Sequence, residues 1–113
     1  MTTNAQPKVY RTKGYMGEVC EYINDERKCT GAGVLYDKQS TFIIYQSKVE
    51  WYSSSENPMM FKILKTDSTI KNIITYVLKD MEHTRYVLNV PTDDRKLLVL
   101  ASNEATITFY LRD

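Results

Sequence analysis

Alternating apolar and polar positions predict strands along most of the chain. The clearest example is the stretch Thr41–Tyr52, where Val49 and Trp51 fall on one side and the charged Lys48 and Glu50 fall on the other. We expect this stretch to form one continuous strand between two polar turns.

Further strands are predicted by shorter runs in the second half of the chain. Residues 85–90 and 105–111 alternate, whereas 96–101 contains the continuous apolar run LLVLA, which is typical of a central, buried strand. The apolar run 59–64 is a shorter candidate. A helix that begins at Ser102 or Asn103 is the competing interpretation for the last strand.

One segment has the spacing of an amphipathic helix. After Asp67 or Ser68 as the N-cap, apolar residues recur three and four positions apart, at Ile70, Ile73, Ile74, Val77, Leu78 and Met81. Several of these residues are β-branched, which lowers helix propensity. We therefore expect a helix over 68–82 that depends on packing against a sheet.

The segment 15–23 fits either a strand or one face of a short helix, and its composition favours the strand. If Asn24 and Asp25 form a two-residue hairpin turn, Cys20 lies opposite Cys29, close enough for a disulfide. The same register places Glu21 opposite Lys28. Because we expect a reducing compartment, we predict two free thiols.

The resulting order, four strands, a helix and three strands, predicts an α+β fold with a small, mostly antiparallel sheet or a partly open β-barrel. Counted from Cys29, the order resembles that of the OB-fold, and Gly31 and Gly33 suit its strongly bent first strand. The stretch 31–45 also resembles a strand–turn–strand of PH-like barrels. That fold has strands in the middle of the chain, where we predict the helix at 68–82. We predict a disordered tail at 1–8 and one domain at 9–113.

Composition narrows the class of protein without naming a ligand. The 113 residues carry a net charge of +1, and neither a membrane-spanning run nor a signal-peptide core is present. We therefore expect an intracellular, cytoplasmic or nuclear protein. The unusual feature is tyrosine, with nine residues, which suits both the core of a β structure and a binding surface.

The sequence contains few residues in arrangements typical of a catalytic, metal-binding or phosphate-binding site. The single histidine, His83, follows the predicted helix, and Cys20 and Cys29 have no metal-binding spacing. The glycines of the GAG stretch at 31–33 do not form a phosphate-binding loop. We therefore predict a non-enzymatic binding module with no metal or cofactor.

Two groups of residues are candidates for binding. The first group consists of aromatic residues in three adjoining strands. The alternative interpretation is that three of them, Phe42, Trp51 and Phe61, belong to the core. Residues 57–79 are mildly basic. The leading hypothesis is protein–protein contact, including self-association, through an exposed sheet edge or the tyrosine-rich face. The alternative is binding of single-stranded nucleic acid, for which the candidate residues are Tyr36, Tyr45, Tyr52, Lys62 and Lys65.

Overall fold

The computed structural model describes residues 6–36, 38–53 and 57–112, with the side chains of 31–36 excepted. Nine strands account for most of this part of the chain, and it contains no helix. The strands are β1 (Lys8–Ile23), β2 (Glu26–Tyr36), β3 (Ser40–Ile44), β4 (Lys48–Ser53), β5 (Met59–Asp67), β6 (Ile73–Lys79), β7 (Arg85–Pro91), β8 (Leu97–Ala101) and β9 (Ala105–Leu111).

The strands form an antiparallel barrel that β1 closes. Strands β3 to β9 pair in sequence order. The first part of β1 pairs with β3 from Lys8 to Thr12, and its middle pairs with β9 from Thr12 to Val19. Eight strands therefore close on themselves, while β2 is an extra strand that pairs with β1 alone. We call the hairpin of β2 and the second half of β1 the arm.

The barrel interior is filled by side chains that alternate along each strand. Phe42, Leu78, Leu88, Leu98 and Phe109 are all fully buried. The Phe109 ring packs edge-on against Phe42, with 4.8 Å between centroids. A barrel of eight strands is just narrow enough for side chains to fill. This core explains why the chain folds without a helix to cover the sheet.

The predicted helix at 68–82 is wrong. Residues 68–72 form a turn, which Asn72 ends with a left-handed φ of 64°, and β6 follows. The Asp67 carboxylate, expected to cap a helix, accepts the Thr69 N–H at 2.8 Å within this turn.

The segment forms a strand because its apolar residues also fit the two-residue alternation of a β-strand. Tyr76 and Leu78 are buried in the barrel, with Ile74 packed against the same core. A helix would have buried Ile70 and Met81, which are 57% and 83% exposed. The β-branched residues favour the extended conformation.

The predicted single strand Thr41–Tyr52 is also wrong, because it folds back on itself. It forms β3 and β4, whose turn is closed by a hydrogen bond from the Tyr45 N–H to the Lys48 carbonyl, 2.9 Å. The alternation predicted for its second half holds: Val49 is buried, and Trp51 packs against the same core.

The barrel prediction is confirmed, but the finer likenesses are not. The OB-like order depended on the absent helix, and the barrel is a closed meander rather than a partly open one. The competing helix from Ser102 or Asn103 is wrong, because this segment forms β9. Residues 1–5 of the predicted tail lie outside the described residues, and β1 begins at Lys8.

The hairpin prediction is confirmed for the register from the turn to Cys20 and Cys29, and a register shift between Gly17 and Val19 follows farther along the arm. Segment 15–23 lies in β1, and Asn24 and Asp25 form the turn with φ of 53° and 64°, as a type I′ turn requires. Cys20 and Cys29 face each other and form a disulfide, so the prediction of two free thiols is wrong for this structure. Glu21 lies opposite Lys28 as predicted, although the Lys28 ammonium ion-pairs with Glu26 at 4.0 Å.

The core makes a direct prediction. Phe109→Ala should lower the free energy of unfolding by about 3–5 kcal/mol, because it removes a fully buried ring and leaves a cavity among Tyr15, Phe42 and Trp51. Urea denaturation followed by circular dichroism measures the change. Tyr22→Ala, at a residue 58% exposed on the arm, is the control and should cost less than about 1 kcal/mol. Equal losses in the two variants would contradict the described core.

Candidate functional site

Four cationic residues lie in one row across the outside of the barrel. The register places Lys48 opposite Lys62, Lys62 opposite Lys79, and Lys79 opposite Arg85. Each residue neighbours an inward side chain on its own strand, so the four cations face outward. With neighbouring strands roughly 4.8 Å apart, the row on β4, β5, β6 and β7 is about 14 Å long. We call it the cation row.

The cation row is poorly neutralised. Like charges directly opposite each other on neighbouring strands are destabilising. Among the described residues, only Lys48 of these four has an acidic partner, the Glu50 carboxylate at 3.4 Å. The nearby Asp80 carboxylate is occupied in its own turn, where it accepts the N–H groups of Glu82 and Thr84 at 2.9 Å. The row is therefore a local concentration of positive charge in a chain of net charge +1.

Two tyrosines meet over Glu50, beside the cation row. The hydroxyls of Tyr45 and Tyr52 both donate to Glu50 Oε1, each at 3.0 Å. Glu50 is on the outside of the barrel yet only 7% exposed, whereas Tyr52 is 40% exposed. The Lys48 ammonium lies 4.9 Å from the centroid of the Tyr45 ring, within cation–π range. Glu50 thus fixes both phenol groups and one end of the row.

Electrostatics at Glu50 favour its ionised form. Burial alone would raise the pKa of the Glu50 carboxyl, but hydrogen bonds from Tyr45 and Tyr52 and the charge of Lys48 outweigh it, so the pKa is lowered. The same hydrogen bonds raise the pKa values of Tyr45 and Tyr52, since a phenolate beside a carboxylate is disfavoured. Both tyrosines therefore remain neutral donors.

A shallow groove of about 420 Å³ runs along the cation row. Lys48, Lys62 and Lys79 lie on it together with Met60 and Met81, which are 40% and 83% exposed. The groove is open to solvent and offers apolar contact between positive charges. We call the surface formed by this groove, the cation row, Tyr45, Glu50 and Tyr52 the tyrosine–lysine face.

Three of the five predicted binding residues meet on this face: Tyr45, Tyr52 and Lys62. Lys65 is exposed farther along β5, opposite Val77. Tyr36 ends β2 opposite Tyr15, on the arm, and its side chain lies outside the described ones.

The remaining aromatic candidates belong to the core. Phe42 and Phe61 are buried, and Trp51 packs against the same cluster while stacking on Phe42 with 5.6 Å between centroids. They belong to the interior because they occupy inward-facing positions of β3, β4 and β5.

Sequence reasoning missed Lys48, Glu50, Lys79 and Arg85 as site residues. Lys79 belongs to the mildly basic stretch 57–79 but was not among the five candidate residues, and the row becomes visible only once the strand register is known. The one available signal was the alternation around Glu50, which places a carboxylate between Lys48 and Tyr52 on the outward side.

Within the described ranges, no group of three or more His, Cys, Asp or Glu side chains is placed to hold a metal ion. In the same ranges, no helix is long and apolar enough to cross a membrane. Comparison of the chain with protein-family models, with curated proteins and with solved structures finds no match.

The Glu50 cluster predicts a pH-dependent stability. A carboxyl whose pKa is lower in the folded than in the unfolded state stabilises the fold above its ordinary value of 4.5, and this contribution is lost as the pH falls through the folded value. Glu50→Gln should therefore be less stable than the wild type at neutral pH, and the gap should narrow well below pH 4.5.

Thermal unfolding over this pH range measures the gap between the two proteins. Glu82→Gln, at an exposed carboxylate in the β6–β7 turn, is the matched control. Parallel pH curves for the wild type and Glu50→Gln would contradict the described role of Glu50.

Proposed function

We propose that this chain is a non-enzymatic binding module whose tyrosine–lysine face takes single-stranded nucleic acid. The observation that carries the proposal is the cation row, which aligns four positive charges on neighbouring strands against the cost of their mutual repulsion. A barrel that needed only to be soluble gains nothing from that arrangement, whereas a phosphate backbone would offset the repulsion.

The dimensions suit a single strand better than an isolated anion. A row of about 14 Å exceeds the size of one phosphate and can contact several phosphates of a flexible strand in succession. The groove beside the row contains exposed methionine side chains, so it also offers apolar contact to bases.

The tyrosines supply the second element of such a site. Single-strand binders combine a positively charged track with aromatic rings on which bases stack. Tyr52 is exposed, and Glu50 holds its hydroxyl, which limits the motion of the ring before any ligand binds. A ring fixed in advance loses less entropy on binding.

The cation row predicts a specific salt dependence. If the three cations without an acidic partner each neutralise one phosphate, the logarithm of the affinity for single-stranded RNA or DNA should fall with the logarithm of the salt concentration with a slope of about −2.1. The double variant Lys62→Gln, Lys79→Gln should reduce this slope to about −0.7 and weaken binding alike for all sequences.

Fluorescence anisotropy with labelled strands of about 16 nucleotides measures both quantities. Lys96→Gln is the matched control, because Lys96 is exposed between β7 and β8, outside the face. An unchanged slope in the double variant would move the site elsewhere, and absence of binding at low salt would end the nucleic-acid proposal.

Base stacking predicts a different response at Tyr52. Tyr52→Ala should weaken binding by about tenfold, since stacking of one base on an aromatic ring contributes about 1–3 kcal/mol, while the salt slope stays unchanged. Tyr52→Phe keeps the ring and loses only the bond to Glu50, so it should weaken binding less than Tyr52→Ala does. The same anisotropy titration distinguishes them, and equal losses in both variants would contradict stacking.

A second candidate function is protein–protein contact, including association of two copies of the chain. The observation in its favour is the outer edge of β2, which has no partner strand among the described residues. Such an edge can accept a strand from another chain. A stable dimer in size-exclusion chromatography, together with no affinity for nucleic acid, would favour this candidate over the first.

A further inference from the structure

The arm contains a cluster that the tyrosine–lysine face does not use. It consists of the Cys20–Cys29 disulfide, the Arg27 guanidinium and the Thr106 hydroxyl. Cys20 is 5% exposed, while Cys29 is more accessible. The cluster lies where the arm packs against the turn between β8 and β9.

Arg27 is placed to stabilise negative charge on a sulfur. Its Nη1 lies 3.1 Å from Cys29 Sγ, and its Nη2 donates to the Ser102 and Ala105 carbonyls and to Thr106 Oγ1. These bonds hold the guanidinium in place. In the described part of the chain, no other charged side chain hydrogen-bonds to either sulfur. A cationic neighbour of this kind favours the thiolate form of a cysteine.

Thr106 completes the surroundings of the sulfurs. Its Oγ1 lies 3.4 Å from Cys20 Sγ and 3.7 Å from Cys29 Sγ, so it contacts both ends of the disulfide. The pair therefore sits in a polar, partly exposed environment, unlike an inert disulfide sealed in an apolar core.

We propose that Cys20 and Cys29 form a redox-active site that undergoes reversible thiol–disulfide exchange with thiols and dithiols, and that Arg27 stabilises the Cys29 thiolate of the reduced form. This site is independent of the nucleic-acid proposal. The co-reactant class is a small or protein-borne dithiol, or two molecules of a monothiol such as glutathione.

The exchange balances as a two-electron transfer. One thiolate of the dithiol attacks Cys29 Sγ, the Sγ–Sγ bond breaks, and its electron pair leaves with Cys20 Sγ, which takes up a proton. The second thiolate then attacks the dithiol's own sulfur in the mixed disulfide and releases Cys29 as a thiolate beside Arg27. The protein disulfide is reduced, and the dithiol is oxidised to a disulfide with net release of one proton.

The test equilibrates the folded full chain with buffers of graded reduced-to-oxidised glutathione ratio. Acid quenching, alkylation and mass measurement then give the reduced fraction. The wild type should be reduced and reoxidised reversibly without denaturant. A disulfide that reacts only after unfolding would overturn the proposal.

The Arg27 variants separate an electrostatic role from a purely structural one. If Arg27 stabilises the thiolate, Arg27→Gln should reach half reduction only at a reduced-to-oxidised glutathione ratio about threefold higher than the wild type requires. If Arg27 only ties the arm to the β8–β9 turn, the variant loosens the arm and shifts the midpoint the opposite way. That shift, or no shift, would overturn the role assigned to Arg27.

Two further variants keep the result interpretable. Arg27→Lys retains the positive charge and should lie closer to the wild type than Arg27→Gln does. Arg95→Gln removes an arginine whose side chain hydrogen-bonds to the Asp93 carboxylate and the Asn72 carbonyl, away from the disulfide, so its midpoint should match the wild type. Circular dichroism of each variant confirms that the barrel is folded during the measurement.

Discussion

The structure depends on the hydrogen bonding of β1 along both of its edges. Its first residues pair with β3, its middle pairs with β9, and Thr12 belongs to both ladders. Thr12 is fully buried, and its Oγ1 lies 2.7 Å from Ser40 Oγ and accepts the Ser40 N–H at 3.1 Å. A sheet that closes on itself removes the edges that would otherwise pair with other chains. The same closure encloses the core around Phe42 and Phe109.

The pairing of β1 also explains the position of the arm and of its disulfide. Beyond the β3 pairing, β1 still has a free edge, and β2 occupies it, so the arm continues from the barrel instead of forming a separate unit. The arm is tied back by Arg27 to the turn that precedes β9. The disulfide therefore lies in an ordered environment made by three strands, although its two cysteines are close in sequence.

The tyrosine–lysine face is a consequence of strand register. Lys48, Lys62 and Lys79 are far apart in the chain, and neither the net charge nor any local run of charge reveals their proximity. Antiparallel pairing brings them into one row, and the outward phase of each strand exposes them. Glu50 then orders the tyrosines at one end, because a carboxylate with little access to solvent is stabilised by the donors around it. The repulsion left in the row is a local cost that the closed barrel tolerates.

The sequence by itself determined the features that depend on neighbouring residues. Alternation around Val49 and Trp51 gave the inward phase of β4, and Asn24-Asp25 gave a two-residue turn that determines the register of the arm from the turn to the juxtaposed Cys20 and Cys29. The β-rich class and a barrel were also predictable. Tyr45, Tyr52 and Lys62 were identified as candidates from residue type, but nothing in the sequence placed them together.

Only the tertiary structure decided the state of residues 68–82, the break between β3 and β4, and the cation row. Segment 68–82 satisfies periods of both 3.6 and two, so its local pattern is compatible with a helix and with a strand. The strand prevails because Tyr76 and Leu78 find partners on β5 and β7 and complete the closed barrel. The cation row could not be predicted from the sequence for the same reason, because it depends on non-local strand pairing, which no local pattern contains.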